Sequence, residues 1–266
     1  MNYYNDKRIW ITGASSGIGK ALAEILVTQG ARLVLTARRK NLLEEIRTAA
    51  PETAEVSILD ADLADIDALP EVCRKAWDEY SGLDIIIMNA GVSQRSLFRD
   101  MDFETGRNLF DINFFTHTKI MHELLPRLEA QGHGRIAAVT SLSGHIPSPL
   151  RIYYSSAKHA LHGFYETLAA ETWTSGIRVS MIIPGFVRTN ISYNAVDGEG
   201  RAFGKLDPLQ KSGADPSSAA KKILNKLERG KREIYVGYTT NAAVARFLGR
   251  VAPGLLLRIL RNMKEV

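Results

Sequence analysis

Residues 12–19 read TGASSGIG, and three of these eight residues are glycine. The segment before it, "RIWIT" (8–12), is a short apolar run with β-branched residues and reads as a strand. The segment after it, "IGKALAEILVTQG" (18–30), keeps Ile18, Leu22, Ile25 and Leu26 at helical spacing, and Gly30 stops it. Gly13, Gly17 and Gly19 therefore stand at a strand-to-helix junction. Glycines there let a backbone approach a pyrophosphate closely, and a helix N-terminus offers it unpaired N–H groups. The pattern G-x-x-x-G-x-G departs from the usual dinucleotide fingerprint. The strand before, the helix after and the N-terminal position carry the reading. The same letters, Gly13-Ala14-Ser15-Ser16-Gly17, also fit the G-x-S-x-G elbow of serine hydrolases. That elbow normally follows several strands, and none of the six histidines stands out at a strand end to serve it.

The rest of the chain repeats this grammar. Strands read at 31–38, 55–62, 83–91, 134–141, 177–185 and 232–237. Helices read at 40–50, 67–80, roughly 102–130 and 152–175. The long helix 102–130 carries Phe110, Phe114, Met121, Leu125 and Leu128 on one side. The strands are continuous apolar runs, as expected when a parallel sheet is buried on both faces. Strand and helix alternate throughout. That predicts a single-domain α/β fold of the Rossmann type, a doubly wound sheet of about seven parallel strands with helices on both faces. Ligands of such sheets bind beyond the C-terminal strand ends, where winding reverses. "TGASSGIG" and "MNAG" (88–91) both lie at such ends and should share one crevice.

Bulk properties narrow the classes. The chain has 266 residues, 45% hydrophobic and 24% charged, an ordinary globular composition. No linker, low-complexity run or internal repeat divides it. One catalytic domain over 1–241, with a basic amphipathic segment at 242–266, is the expected organisation. Cys73 alone can form no internal disulfide and has no zinc-site neighbours; it reads as a buried helix thiol. No signal-length or membrane-length apolar run is present, so a cytoplasmic location is expected. Net charge is +5, yet residues 221–266 hold 11 Lys/Arg against 3 Asp/Glu. The basic character is local, which argues against a nucleic-acid footprint.

The end of the second strand, "TARRK" (36–40), has no acidic residue to bind an adenosine 2′-hydroxyl. It offers Arg38 and Arg39, and a guanidinium pairs with a 2′-phosphate. The expected cofactor is NADP(H). Asp62, in "DADL", can accept from an adenine amino group. Further along, Tyr154 and Lys158 stand four apart on one helix face. A nearby ammonium favours the phenolate and brings proton exchange toward neutral pH. Ser141, ending the fifth strand, can hydrogen-bond a carbonyl or hydroxyl. Tyr153 lies about 100° round the helix from Tyr154 and has no lysine four residues on. His159 and His162 are three apart, but no third ligand is evident, so no metal is expected and a surface or subunit-contact role is read for both.

With these motifs assembled, the chain resembles the short-chain dehydrogenase/reductase family over most of its length. "TGASSGIG" looks like the family's cofactor loop, "MNAG" like its Asn-Asn-Ala-Gly signature, and Ser141, Tyr154 and Lys158 like its catalytic triad, with the family's 13-residue gap from Ser to Tyr. Met88 departs from the signature's first Asn. Asn113 in "DINFF" matches the helix Asn that helps hold a proton-relay water. "PGFVRT" (184–189) matches the segment lining the nicotinamide. The catalytic set implied is Asn113, Ser141, Tyr154 and Lys158. The implied cofactor contacts are Gly13, Ser15, Ser16, Gly17, Ile18 and Gly19, then Arg38, Arg39, Asp62 and Leu63, then Asn89, Ala90 and Gly91, with Tyr154, Lys158, Pro184, Gly185, Val187 and Thr189. Asn89 would steady its strand end, while Ala90 and Gly91 leave room for the adenine ribose. "TARRK" and the tail look most like the hydroxysteroid-type and DHRS-like branch.

The resemblance implies an NADP(H)-dependent oxidoreductase acting on a small carbonyl or alcohol, with association as a homodimer or homotetramer through the two long helices. A non-catalytic NADP-binding scaffold of the same fold is the alternative, although it would need none of the four catalytic residues. The substrate depends on the Gly-rich polar loop at about 190–220, which reads as mobile. In the tail, Val244, Phe247, Leu248 and Val251, then Leu256, Ile259, Leu260 and Met263, form apolar stripes beside Arg246, Arg250, Arg258, Arg261 and Lys264. Such a segment suits docking on the domain or a partner subunit. It also suits an anionic membrane surface, and a lipophilic substrate would go with that.

Overall fold

The computed structural model describes residues 2–261. Seven parallel strands form one sheet: β1 (Arg8–Thr12), β2 (Arg32–Ala37), β3 (Val56–Asp60), β4 (Ile85–Met88), β5 (Gly134–Val139), β6 (Ile177–Pro184) and β7 (Glu233–Val236). Their order is β3-β2-β1-β4-β5-β6-β7, so winding reverses between β1 and β4. Trp10 stands in register with Val34 on one side and Ile86 on the other. This is the Rossmann-type doubly wound sheet expected. The glycine loop and the "MNAG" stretch do end neighbouring strands.

Alternation within each strand builds two cores. In β1, Ile9 and Ile11 face one core while Trp10 faces the other, and all three are fully buried. Burying each such side chain contributes roughly 1.5–3 kcal/mol before entropy is counted. Helices α1 (Gly17–Thr28), α2 (Lys40–Thr48) and α8 (Pro216–Glu228) cover the first core through residues such as Leu22, Leu26, Leu43, Ile223 and Leu227. Helices α3 (Leu69–Asp78), α5 (Thr116–Gln131) and α6 (Ile152–Glu171) cover the second with Leu69, Ile120, Leu124, Leu161 and Tyr165. Cys73 is buried there, and burial pushes its thiol up to about 12, as an inert packing residue should be.

The long helix read over 102–130 is interrupted. Helix α4 (Phe103–Phe110) passes through a π-turn, Asp111–Phe115, into α5. The π-turn adds one residue and rotates the face presented to the sheet. Full burial falls on Leu109, Asn113, Thr116, His117, Ile120 and Leu124, together with Met121 and Leu128. Phe110 and Phe114 are only half-buried and form an aromatic cluster with Tyr153 and Phe164. Single-turn π-bulges recur at functional sites because they re-aim backbone groups.

The segment between β6 and α8 is tied down at several points. Arg95 N–H donates to the Val196 carbonyl (2.8 Å) and Asp102 N–H to that of Gly198 (2.9 Å). A short helix, α7 (Pro208–Lys211), is capped by Asp207. The tail forms α9 (Thr240–Val251) and α10 (Pro253–Arg261). It docks on the domain through buried Ala242 and Leu256, with Gly249 against His145 and Ile146. Arg246 lies over the Tyr235 ring at 4.6 Å and donates to its hydroxyl (2.8 Å). Val244, Phe247, Val251, Leu255, Leu257 and Ile259 nonetheless remain exposed. Met263 and Lys264 of the expected stripe lie outside the described residues. Among the described residues, no helix is long and apolar enough to cross a membrane.

Candidate active site

One cleft of about 770 Å³ runs along the C-terminal ends of the strands. Its floor is the junction of β1 and β4. Thr12, the last residue of β1, holds that junction: its hydroxyl oxygen accepts from the backbone N–H groups of Asn89 (2.9 Å) and Ala90 (3.1 Å). The Asn89 amide donates to the carbonyls of Thr12 (3.1 Å) and Gly13 (3.0 Å). A polar residue ending a buried strand is thereby explained. Asn89 ties its own loop to the glycine loop across the reversal of the sheet.

The glycines are required by this close approach. Gly13 has φ +66°, and a Cβ on it would stand 2.9 Å from Ala90 Cα. A Cβ on Gly19 would collide with the Asn89 amide and the Gly13 carbonyl. Helix α1 begins at Gly17, and its N-cap Ser16 makes no side-chain capping bond. Free N–H groups therefore face the cleft beside the glycine backbone. In a cleft of this volume, the cradle fits a dinucleotide.

Of the residues expected at the site, all but Gly19 and Asn113 line this cleft. Gly19 packs behind the loop. Asn113 is fully buried in the π-turn, where it donates to the carbonyls of Val92 (2.8 Å) and Leu109 (2.9 Å) and accepts from Val92 N–H (3.2 Å). It clamps the chain just beyond Gly91. Arg39 reaches over the glycine loop and donates to the hydroxyls of Ser15 (3.0 Å) and Ser16 (3.1 Å). Arg38 is exposed, with its guanidinium 3.8 Å from Asp62. Asp62 stands just past β3 rather than on it.

At the other end, Ser141 caps a turn by accepting from Ser143 N–H (3.1 Å). Tyr154 and Lys158 project from α6 and are buried. Burial raises the Tyr154 phenol above its ordinary pKa; the adjacent Ser141 hydroxyl and Arg151 guanidinium favour the phenolate but do not outweigh it. Lys158 Nζ lies 5.7 Å from the Tyr154 ring centroid and donates to the Val139 carbonyl (3.1 Å). Burial pushes its ammonium down to about 7. Tyr153 turns away from the cleft into Phe98 and Phe110.

Several residues here have no sequence signal of their own. Gln94 is fully buried, and its side-chain oxygen accepts from the N–H groups of Tyr153 (2.9 Å) and Tyr154 (3.4 Å). It caps α6 from the "MNAGVSQ" loop and so sets the height of Tyr154. Its hint was a polar run after a strand. His117 is buried one turn beyond Asn113 and shares a hydrogen bond with Tyr165 (2.9 Å); burial pushes it down to about 3, so it stays neutral. His162 corrects the surface reading. It is buried against His145, ring centroids 4.1 Å apart, and is pushed down to about 4 by burial, while His159 is exposed as expected. Among the described residues, no group of three or more His, Cys, Asp or Glu could hold a metal ion.

Known proteins share this fold. The family model described as "short chain dehydrogenase" matches residues 7–200. The chain belongs to the short-chain dehydrogenase family. It is 32% identical to a dehydrogenase/reductase SDR family protein 7-like of Drosophila melanogaster over 97% of this chain and 81% of that one. Two solved structures share the fold across nearly both whole chains. One is a short-chain dehydrogenase/reductase from Burkholderia phymatum in complex with NAD, with TM-score 0.81, 21% identity and coverage of 100% and 99%. The other, from Burkholderia cenocepacia, is in complex with NADP, with TM-score 0.78, 23% identity and coverage of 98% and 99%. As a short-chain dehydrogenase/reductase, the protein is an oxidoreductase of a fold that binds nicotinamide cofactors and acts on small molecules.

Proposed function

We propose that this protein is an NADP(H)-dependent carbonyl reductase, or the reverse alcohol dehydrogenase, with Tyr154 as its proton donor and acceptor. The observation that carries the reading is that Ser141, Tyr154 and Lys158 line the same cleft as the glycine loop. The nicotinamide, when bound, supplies or takes the hydride. Tyr154 gives its proton to the carbonyl oxygen, and burial favours the protonated phenol that reduction needs. The Ser141 hydroxyl donates to the same oxygen and holds it in place. Lys158, beside the Tyr154 ring, carries the positive charge that receives the developing phenolate. Asn113 fixes the Val92 backbone that closes the cleft. A panel of ketones and aldehydes tested for NADPH oxidation checks the activity. A non-catalytic binding protein would bind NADPH and turn over none of them.

NADP over NAD rests on Arg38 and Arg39, both at the cleft, where the end of β2 carries no carboxylate and the Asp62 carboxylate stands 3.8 Å from Arg38. Charge-assisted pairing with a 2′-phosphate supplies about 1.5–3 kcal/mol, or roughly 10–100-fold. Wild type should therefore bind NADPH at least about 10-fold tighter than NADH, and Arg38→Ala should lose most of that ratio. Equal dissociation constants for the two cofactors in wild type would refute the assignment.

We further assign association through the long helices as a dimer or tetramer, and contact of α9 and α10 with an anionic membrane surface. Docking of the tail leaves Phe247 and Val251 exposed beside Arg250. A lipophilic substrate would suit that placement. Wild type should sediment as an oligomer and float with anionic liposomes at low salt. Phe247→Glu with Val251→Glu should sediment alike but stay unbound. A monomer would sink the first assignment, and equal flotation of both proteins the second.

A further inference from the structure

The substrate end of the cleft holds a buried charge cluster. Asp207 Oδ2 accepts from the guanidinium of Arg95 and from that of Arg151 (3.0 Å). Its Oδ1 accepts from Leu209 N–H (2.9 Å). The side chains of Arg95, Asp207 and Arg151 are 7%, 12% and 21% exposed. Two guanidiniums thus share one carboxylate that has no oxygen left over. The cluster carries one uncompensated positive charge in a region largely withdrawn from water, which is costly unless an anion completes it.

The geometry says where that anion belongs. Arg151 lines the cleft; Arg95 and Asp207 stand behind it. Only one of the five N–H donors of Arg151 is engaged, and the other four have no partner among the described residues. Arg151 is the N-cap residue of α6, three residues before Tyr154, and both line the same cleft. Each perturbs the titration of the other. The remaining charged residues lining the cleft are Lys158, beside the Tyr154 ring, and Arg38, Arg39 and Asp62 at the opposite end. Other polar residues lining the cleft, such as Asn190, Asn194 and Ser148, are neutral.

We propose that the substrate is a carbonyl compound, or the matching alcohol, bearing a carboxylate a few bonds from the reacting carbon, and that Arg151 binds that carboxylate. This rests on the reading of Tyr154 as the proton donor. A single uncompensated charge matches a monoanion. The planar fork of Arg matches a carboxylate, with Asp207 holding the guanidinium in orientation from behind. Arg95 serves to keep Asp207 from neutralising Arg151 fully. Any apolar remainder of the substrate can lie against Leu109 and Ile191.

The test titrates the NADPH-loaded protein with 2-oxo, 3-oxo, 4-oxo and 5-oxo hexanoic acids and with their methyl esters. Binding is followed by calorimetry and turnover in parallel. At least one acid should bind about 10-fold or more tighter than its ester. Arg151→Gln should bring that ratio near one, Arg151→Lys should keep part of it, and Asp207→Asn should raise it. Ratios at or below one for every pair in wild type would overturn the inference, as would an unchanged ratio in Arg151→Gln. Circular dichroism identifies a variant that fails to fold, and the lysine and Asp207 variants then decide. NADPH binding without any acid-to-ester discrimination sinks this inference alone, whereas failure to bind NADPH sinks the reading beneath it.

Discussion

Tyr154→Phe is expected to lower kcat by about 10³-fold while NADPH still binds, the scale of losing a positioned general acid. Tyr153→Phe, one residue away, should stay within about two-fold of wild type, because its hydroxyl takes no part in proton transfer. The contrast follows from where each ring points. Tyr154 is buried in the cleft between Ser141 and Lys158. Tyr153 packs between Phe98 and Phe110, with ring centroids 6.2 and 6.3 Å away. Removing the Tyr154 hydroxyl takes the proton from the reaction and leaves the ring's packing in place. Single-turnover reduction with NADPH in excess measures the chemical step directly. Comparable losses in both variants would show that the hydroxyl acts on the fold of α6 and not on the substrate.

Much of this site was legible because it follows from local chain chemistry. A glycine loop between strand and helix, and two residues four apart on a helix, are short-range patterns. Their meeting in one cleft follows from the parallel sheet, which brings the ends of β1, β4, β5 and β6 together. Position within an element was less legible. The π-turn at Asp111–Phe115 shifts the buried face to Leu109 and Asn113, leaving Phe110 and Phe114 half-buried. No propensity marks such a turn in advance. His162 read as a surface or subunit-contact residue because no third ligand stood near it in sequence, but the turn at Leu142–Gly144 packs over it. Least legible was the Arg95–Asp207–Arg151 cluster. Its members are 56 and 112 residues apart, joined only by how the β6–α8 segment folds back. Tertiary ion pairs of this span have no period to betray them.

Lys158→Met should abolish turnover and yet make the protein more stable at neutral pH. Lys158 is held folded with its ammonium at about 7, against an ordinary 10.5, because burial disfavours the charge. Each pKa unit is worth about 1.4 kcal/mol, so its burial costs the fold on the order of 5 kcal/mol at pH 7 and below. Between pH 7 and 10.5 the unfolded chain binds a proton that the folded chain does not, so this cost shrinks as pH rises and vanishes above 10.5. Methionine removes the cost but leaves the Val139 carbonyl without its partner, an opposing loss of about 1–3 kcal/mol. A net gain of roughly 2–4 kcal/mol remains at pH 7, or several degrees in Tm. The check is a pair of thermal melts without cofactor, at pH 7 and near pH 10. The variant should lead at pH 7, and its lead should close or reverse toward pH 10. A variant less stable than wild type at pH 7, or a gap that does not move with pH, would mean that Lys158 is stabilised in the cleft and costs the fold nothing. The predicted outcome has the other meaning: a cation is kept in a place that disfavours it because the chemistry at Tyr154 requires one there.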